Sequence, residues 1–284
     1  MKNITLLSFL GATTLVSMIE KAGLTSTLEG EGPFTVFAPD NTAFDALPTE
    51  LVESLMADTE LLKTVLLNHV VAGQALSTDL SNEMEVEMVG GAKLRANIYL
   101  KSKFYQGFIT INGKRVKKAD HMADNGVIHM LTDVIADTAS GSIADVVSGD
   151  ERFSTLLSLV AKAGLAETLA SGGPFTVFAP TNEAFSKLDE SVVASLLEDT
   201  EALKKVLLRH VVPGSLFKRG ISWAVHGTAG AAEEDMLATQ VFKAGVVMVV
   251  SNVSGEEGKA AGARLVQEDI LATNGVIHAI DTVI

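Results

Sequence analysis

At 284 residues, with 47% hydrophobic and 20% charged side chains, the chain carries ample apolar material for packed cores and is long for a single one. A formal net charge of −13 disfavours nucleic acid as a partner, because phosphate recognition depends on a cationic surface. The absence of cysteine excludes disulfides, thiol catalysis and cysteine-ligated metals, and leaves the compartment open.

In chain order, Met1-Lys2 and the apolar stretch at 4–19 have the outline of a secretory leader. Residues 13–24 (TTLVSMIEKAGL), however, align with 154–165 (STLLSLVAKAGL), which cannot be a leader. Both stretches are read as amphipathic helices, stopped by Gly23 and Gly164, and the chain as a mature form. No segment approaches the ~18 consecutive apolar residues of a membrane span. Residues 34–38 and 175–179 are short apolar runs bounded by Gly-Pro and Pro, which predicts buried strands. Asp40 and Thr181 then stand where a helix N-cap belongs. Further helices are predicted over 50–56 and 60–69. Strands follow over 83–88, 93–100, 108–111, 115–118 and 127–131, with Asn112-Gly113 as a tight turn.

Self-similarity decides the architecture. Residues 32–71 align with 173–212 at a constant offset, with GPFTVFAP in both copies and LLNHVV against LLRHVV. NGVIH recurs at 125–129 and 274–278, so the second copy carries extra residues between the blocks. The expected domains are 1–137 and 142–284, joined by a linker too short to hold them far apart. Helices first and strands later in each copy indicate an α+β fold.

The two repeated blocks resemble the motifs of the fasciclin-type (FAS1) adhesion domain. GPFTVFAPDNTAF and GPFTVFAPTNEAF look like its first motif, and ADNGVIHMLTDVI and ATNGVIHAIDTVI like its second, with HVV between. The resemblance implies a wedge-like pair of β-sheets flanked by a helical bundle. It also implies a secreted adhesion or matrix protein without catalysis or cofactor. QEDILATNGVIHAID at 267–281 is similar to animal matrix members of the family. That likeness implies an integrin contact at Glu268, Asp269, Ile270 and Leu271. In the first copy Asp120 matches Asp269, but His121-Met122 replaces the Ile-Leu pair. A second implied element, Tyr-His at the start of the HVV block, keeps His69 and His210 but has Asn68 and Arg209 in place of the tyrosine.

Read on chemistry alone, an exposed carboxylate beside apolar side chains suits a receptor's metal ion, a hard oxygen-seeking cation. The opposing reading makes Ile270 and Leu271 ordinary strand residues and Asp269 a turn cap. The repeated histidines His69, His129, His210 and His278 lie in apolar runs without ligand-spaced acids, which favours buried, hydrogen-bonded histidines over a metal site. No nucleophile elbow, zinc-protease helix, dinucleotide or phosphate-loop pattern occurs.

One feature owes nothing to the family. Residues 93–118 hold eight basic side chains and no acidic one: Lys93, Arg95, Lys101, Lys103, Lys114, Arg115, Lys117 and Lys118. Spacing by two, as in Arg115/Lys117, places charges on one strand face, a surface for a sulphated glycan or acidic partner. Against this, Glu85 and Glu87 are expected to pair across the hairpin with Arg95 and Lys93, leaving Lys101, Lys103, Lys114, Arg115, Lys117 and Lys118 as the candidate polyanion site. Asn252, in an Asn-Val-Ser triplet, is a candidate glycosylation site.

Overall fold

The computed structural model describes residues 12–100, 107–221, 224–229, 236–241, 247–252 and 262–284. The chain divides into two compact units, Met1–Thr138 and Ala139–Ile284.

The first unit runs α1 (Thr13–Lys21), α2 (Thr25–Leu28), β1 (Phe34–Pro39), α3 (Asn41–Asp45), α4 (Thr49–Ala57), α5 (Thr59–Leu67), β2 (Val70–Ala72), β3 (Met84–Glu87), β4 (Lys93–Tyr99), β5 (Phe108–Ile111), β6 (Lys114–Ala123) and β7 (Gly126–Leu131). Helix α1 buries Leu15, Met18 and Ile19, the i, i+3, i+4 stripe. It ends at Gly23, whose φ of +69° is cheap only for glycine; the Gly23 and Leu24 amides donate to Glu20 O and Ile19 O. Asp40 caps α3, its Oδ1 accepting from the Ala43 amide at 3.0 Å.

The seven strands follow the order β2-β1-β7-β6-β5-β4-β3, with β1 parallel to β7 and its other neighbour antiparallel. Strand β6 is longer than the predicted 115–118, because its bulges let one strand serve two half-sheets. Period-2 alternation sorts the core. Val36, Ala38 and Ile128 face the helices, while Phe37 and Leu131 face Val86, Leu94 and Ile111 of the other half-sheet. That is the expected wedge. The Asn112-Gly113 turn has φ of +47° and +76° and closes β5 onto β6.

The second unit repeats the plan with α6 (Ile143–Gly149), α7 (Ser154–Lys162), α8 (Ala166–Ser171), β8 (Phe175–Pro180), α9 (Asn182–Phe185), α10 (Glu190–Glu198), α11 (Thr200–Arg209), β9 (Val211–Pro213), β10 (Ala224–Gly227), β11 (Met236–Val241), β12 (Val247–Asn252), β13 (Gly262–Ala272) and β14 (Gly275–Ile280). Its sheet order, β10-β11-β12-β13-β14-β8-β9, again places the second-motif strand parallel to the first-motif strand. Among the described residues, no helix is long and apolar enough to cross a membrane.

Candidate functional site

Strands β6 and β13 each bend where their register slips against the next strand. The slips lie between Val116/Lys118 and Lys118/His121 in the first copy, and between Leu265/Gln267 and Gln267/Ile270 in the second. At the second slip of each pair an aspartate adopts left-handed backbone, φ +60° at Asp120 and +56° at Asp269. Aspartate tolerates this region because its short side chain can hydrogen-bond locally.

A buried histidine on the neighbouring strand fixes the bulge. The Asp120 amide donates to His129 Nδ1 at 3.2 Å, and the Asp269 amide to His278 Nδ1 at 3.2 Å. Each Nδ1 is therefore an acceptor and each Nε2 carries the proton, donated to Ala75 O at 2.9 Å and to Leu216 O at 2.8 Å. Burial lowers the pKa of both rings, against the pull of the nearby aspartate and the carbonyl. They are neutral clamps.

The carboxylates complete the bulge differently in the two copies. In the first, Ser77 claims both oxygens: its amide donates to Asp120 Oδ1 at 2.7 Å and its hydroxyl to Oδ2. Burial raises the Asp120 carboxyl, but the Ser77 hydroxyl and amide, with His129 and His121, outweigh it and hold the pKa below the usual value. In the second copy Lys218 stands at the serine's place. Its amide donates to Asp269 Oδ1 at 2.8 Å, while its side chain reaches Glu268 instead. Oδ2 of Asp269 has no partner among the described residues, and the side chain is 25% exposed. Glu268 is exposed, and Ile270 and Leu271 are half-buried, with Ile270 packed against the helical core.

The sequence-predicted contact thus lies on one bulge, with Asp269 partly engaged inside its own domain. Ile270 and Leu271 are strand residues as the opposing reading has it, but Asp269 does not cap the turn at Asn274-Gly275: its Oδ1 accepts from the distant Lys218 amide. The pairing with Lys218, 51 residues away, has no spacing signature. Only the alignment of Ser77 with Lys218 between the repeats could have indicated it.

The other repeated motif residues are structural. His69 donates from Nδ1 to Val65 O at 2.8 Å and accepts at Nε2 from the Ile135 amide at 2.9 Å; His210 does the same with Val206 and Ile284. Burial pushes both pKa values down to about 4. Thr35 Oγ1 donates to Gly73 O and accepts from the Ala75 amide, and Asn125 Nδ2 donates to Leu28 O and Gly30 O. Asn68, at the expected tyrosine position, is buried.

The basic face is smaller than the sequence suggested. Lys101 and Lys103 lie outside the described residues. Lys117 falls within the first slip of β6, and its Nζ pairs with the capping Asp40 at 2.8 Å. Arg115 lies over the Phe108 ring at 5.0 Å, and Arg95 pairs with Glu83 and Glu85. The predicted register Glu85↔Arg95 and Glu87↔Lys93 is present. Lys114 and Lys118 have no ion-pair partner among the described residues. Asn252, placed by its Gly/Ser-rich surroundings in a loop, is the last residue of strand β12; its side chain lies outside the described residues.

Comparison with known proteins agrees with the repeat. The family model described as "Fasciclin domain" matches twice, at residues 10–137 and 151–284. Transforming growth factor-beta-induced protein ig-h3 of Oryctolagus cuniculus is 34% identical over 97% of this chain and 38% of its own length. Periostin of Homo sapiens is 30% identical over 95% of this chain and 29% of its own. The chain therefore spans well under half of these relatives. A solved FAS1 domain pair from the insect cell adhesion molecule fasciclin I aligns over 96% of this chain and 97% of that one, at 18% identity and a TM-score of 0.45.

Proposed function

The chain belongs to the fasciclin domain family, and on that premise we propose that it is a non-enzymatic, extracellular adhesion or matrix module that contacts an integrin-class cell-surface receptor through the bulge at residues 268–271. The observation that carries this reading is the unclaimed Oδ2 of Asp269 on a partly exposed bulge, between exposed Glu268 and half-buried Ile270 and Leu271. A carboxylate oxygen free of intradomain bonds can enter the coordination shell of a receptor's divalent cation without first breaking a hydrogen bond. With Lys218 paired to Glu268 and His278 neutral, Asp269 has no cationic partner among the described residues.

A second reading rests on Lys114 and Lys118, exposed or half-exposed cations without an ion pair among the described residues, as part of a surface for a sulphated glycan. Metal and salt dependence separate the two. Attachment of cells to surfaces coated with the full chain is expected to vanish on chelation of divalent cations and to change little with added sodium chloride. Attachment that survives chelator, is competed by heparin and falls steeply with salt would replace the receptor reading with the glycan one.

A further inference from the structure

Ser77 and Lys218 occupy matching places at two bulges with the same hydrogen-bond frame, and this difference sets which atoms reach the aspartate's second oxygen. The backbone frame is the same in both copies: left-handed aspartate, amide to histidine Nδ1 at 3.2 Å, and Oδ1 accepting from the amide of residue 77 or 218 at 2.7 or 2.8 Å. A serine hydroxyl in this frame reaches Oδ2, as Ser77 does at Asp120. The lysine chain instead extends to Glu268 and leaves Oδ2 uncapped. Exposure does not separate the copies in favour of the second, since the Asp120 side chain is 38% exposed against 25% for Asp269. Hydrogen bonding does.

We propose that residue 218 is the specificity-determining position of the pair: a side chain without a hydroxyl there keeps Asp269 Oδ2 open for a divalent cation, and the serine at 77 closes the equivalent site of the first domain. The inference rests on the receptor reading above. Lys218 touches no ligand in this account; it acts by what it does not donate. Its charge is incidental, and its pairing with Glu268 is a secondary effect.

The test uses the full chain with four variants: Lys218→Ser, Lys218→Thr, Lys218→Ala and Asp269→Asn. Closing Oδ2 with a charge-assisted hydrogen bond is expected to weaken chelator-sensitive cell attachment about tenfold in Lys218→Ser and Lys218→Thr. Lys218→Ala, which removes the ammonium but adds no hydroxyl, is expected to retain attachment within about twofold. A crystal structure of Lys218→Ser supplies a readout without any receptor: the introduced hydroxyl is expected within hydrogen-bond distance of Asp269 Oδ2, as the Ser77 hydroxyl is at Asp120. Equal loss in Lys218→Ala and Lys218→Ser would overturn the proposal by assigning the role to the lysine charge. Loss in Asp269→Asn with full attachment in Lys218→Ser would also overturn it while leaving the receptor reading intact. Full attachment in Asp269→Asn would remove the receptor reading itself.

Discussion

Gly126→Ala is expected to destabilise the first domain severely and leave the second unchanged, and Gly275→Ala to do the reverse. In each copy this glycine opens the second-motif strand, where β7 lies parallel to β1 and β14 to β8. A Cβ at Gly126 would stand 2.0 Å from Phe34 O, and at Gly275 1.9 Å from Phe175 O. These are backbone atoms of a central strand pair, so relief requires the two strands to part. The cost is about 4 kcal/mol, a large share of the roughly 5–15 kcal/mol that holds a domain together. Gly23→Ala is the control: its φ is +69° but nothing lies within 4 Å of the added methyl, so it should cost only about 1 kcal/mol. Urea unfolding followed by circular dichroism would show the effect as one of two transitions moving to low denaturant. An unshifted curve for Gly126→Ala would mean that the β1–β7 approach is not as close as described.

Acid is expected to weaken both domains well above the carboxylate range. His69 and His210 are fully buried, donate at Nδ1 and accept at Nε2. Their folded pKa of about 4 lies below the ordinary histidine value of 6.5. Between those values the unfolded chain binds the proton and the folded domain does not, so stability is fully present above pH 6.5 and declines as pH falls towards 4. Each histidine accounts for a loss of about 2 kcal/mol between pH 7 and pH 5 and about 3 kcal/mol over the whole window. His129 and His278, also shifted down by burial, act in the same direction. Urea midpoints at pH 7 and pH 5 measure this. His69→Gln, whose amide can serve as both donor and acceptor, should flatten the dependence of the first domain alone. A midpoint that does not move between pH 7 and pH 5 would show that the histidines titrate normally.

The repeat made the fold legible, because two copies of one pattern mark helix, strand and cap positions that a single copy leaves ambiguous. Gly23 and Gly164 stop their helices and Asp40 and Thr181 cap theirs, as local physics requires. The Glu/Lys register of the β3–β4 hairpin also followed from alternation and loop length. The bulges did not. They depend on His129 and His278 meeting Asp120 and Asp269 across strands, and on Ser77 and Lys218 closing from a distant loop. The bond from Lys117 to Asp40, 77 residues away, likewise lay beyond any periodicity. Alternation over 83–88 predicts burial of Met84, Val86 and Met88; Val86 and Met88 are buried, and Met84 is exposed where β3, the last strand of its sheet, begins. Local signals located the elements, whereas the site depends on long-range hydrogen bonds.

Asp269→Asn set beside Asp120→Asn in the full chain tests the central claim most directly. Asparagine keeps the left-handed backbone and can still accept at Oδ1 from the Lys218 or Ser77 amide, so folding should be retained in both and checked by their urea midpoints. The account predicts that chelator-sensitive cell attachment is lost in Asp269→Asn and unchanged in Asp120→Asn. Equal attachment by both variants and the parent chain would contradict it.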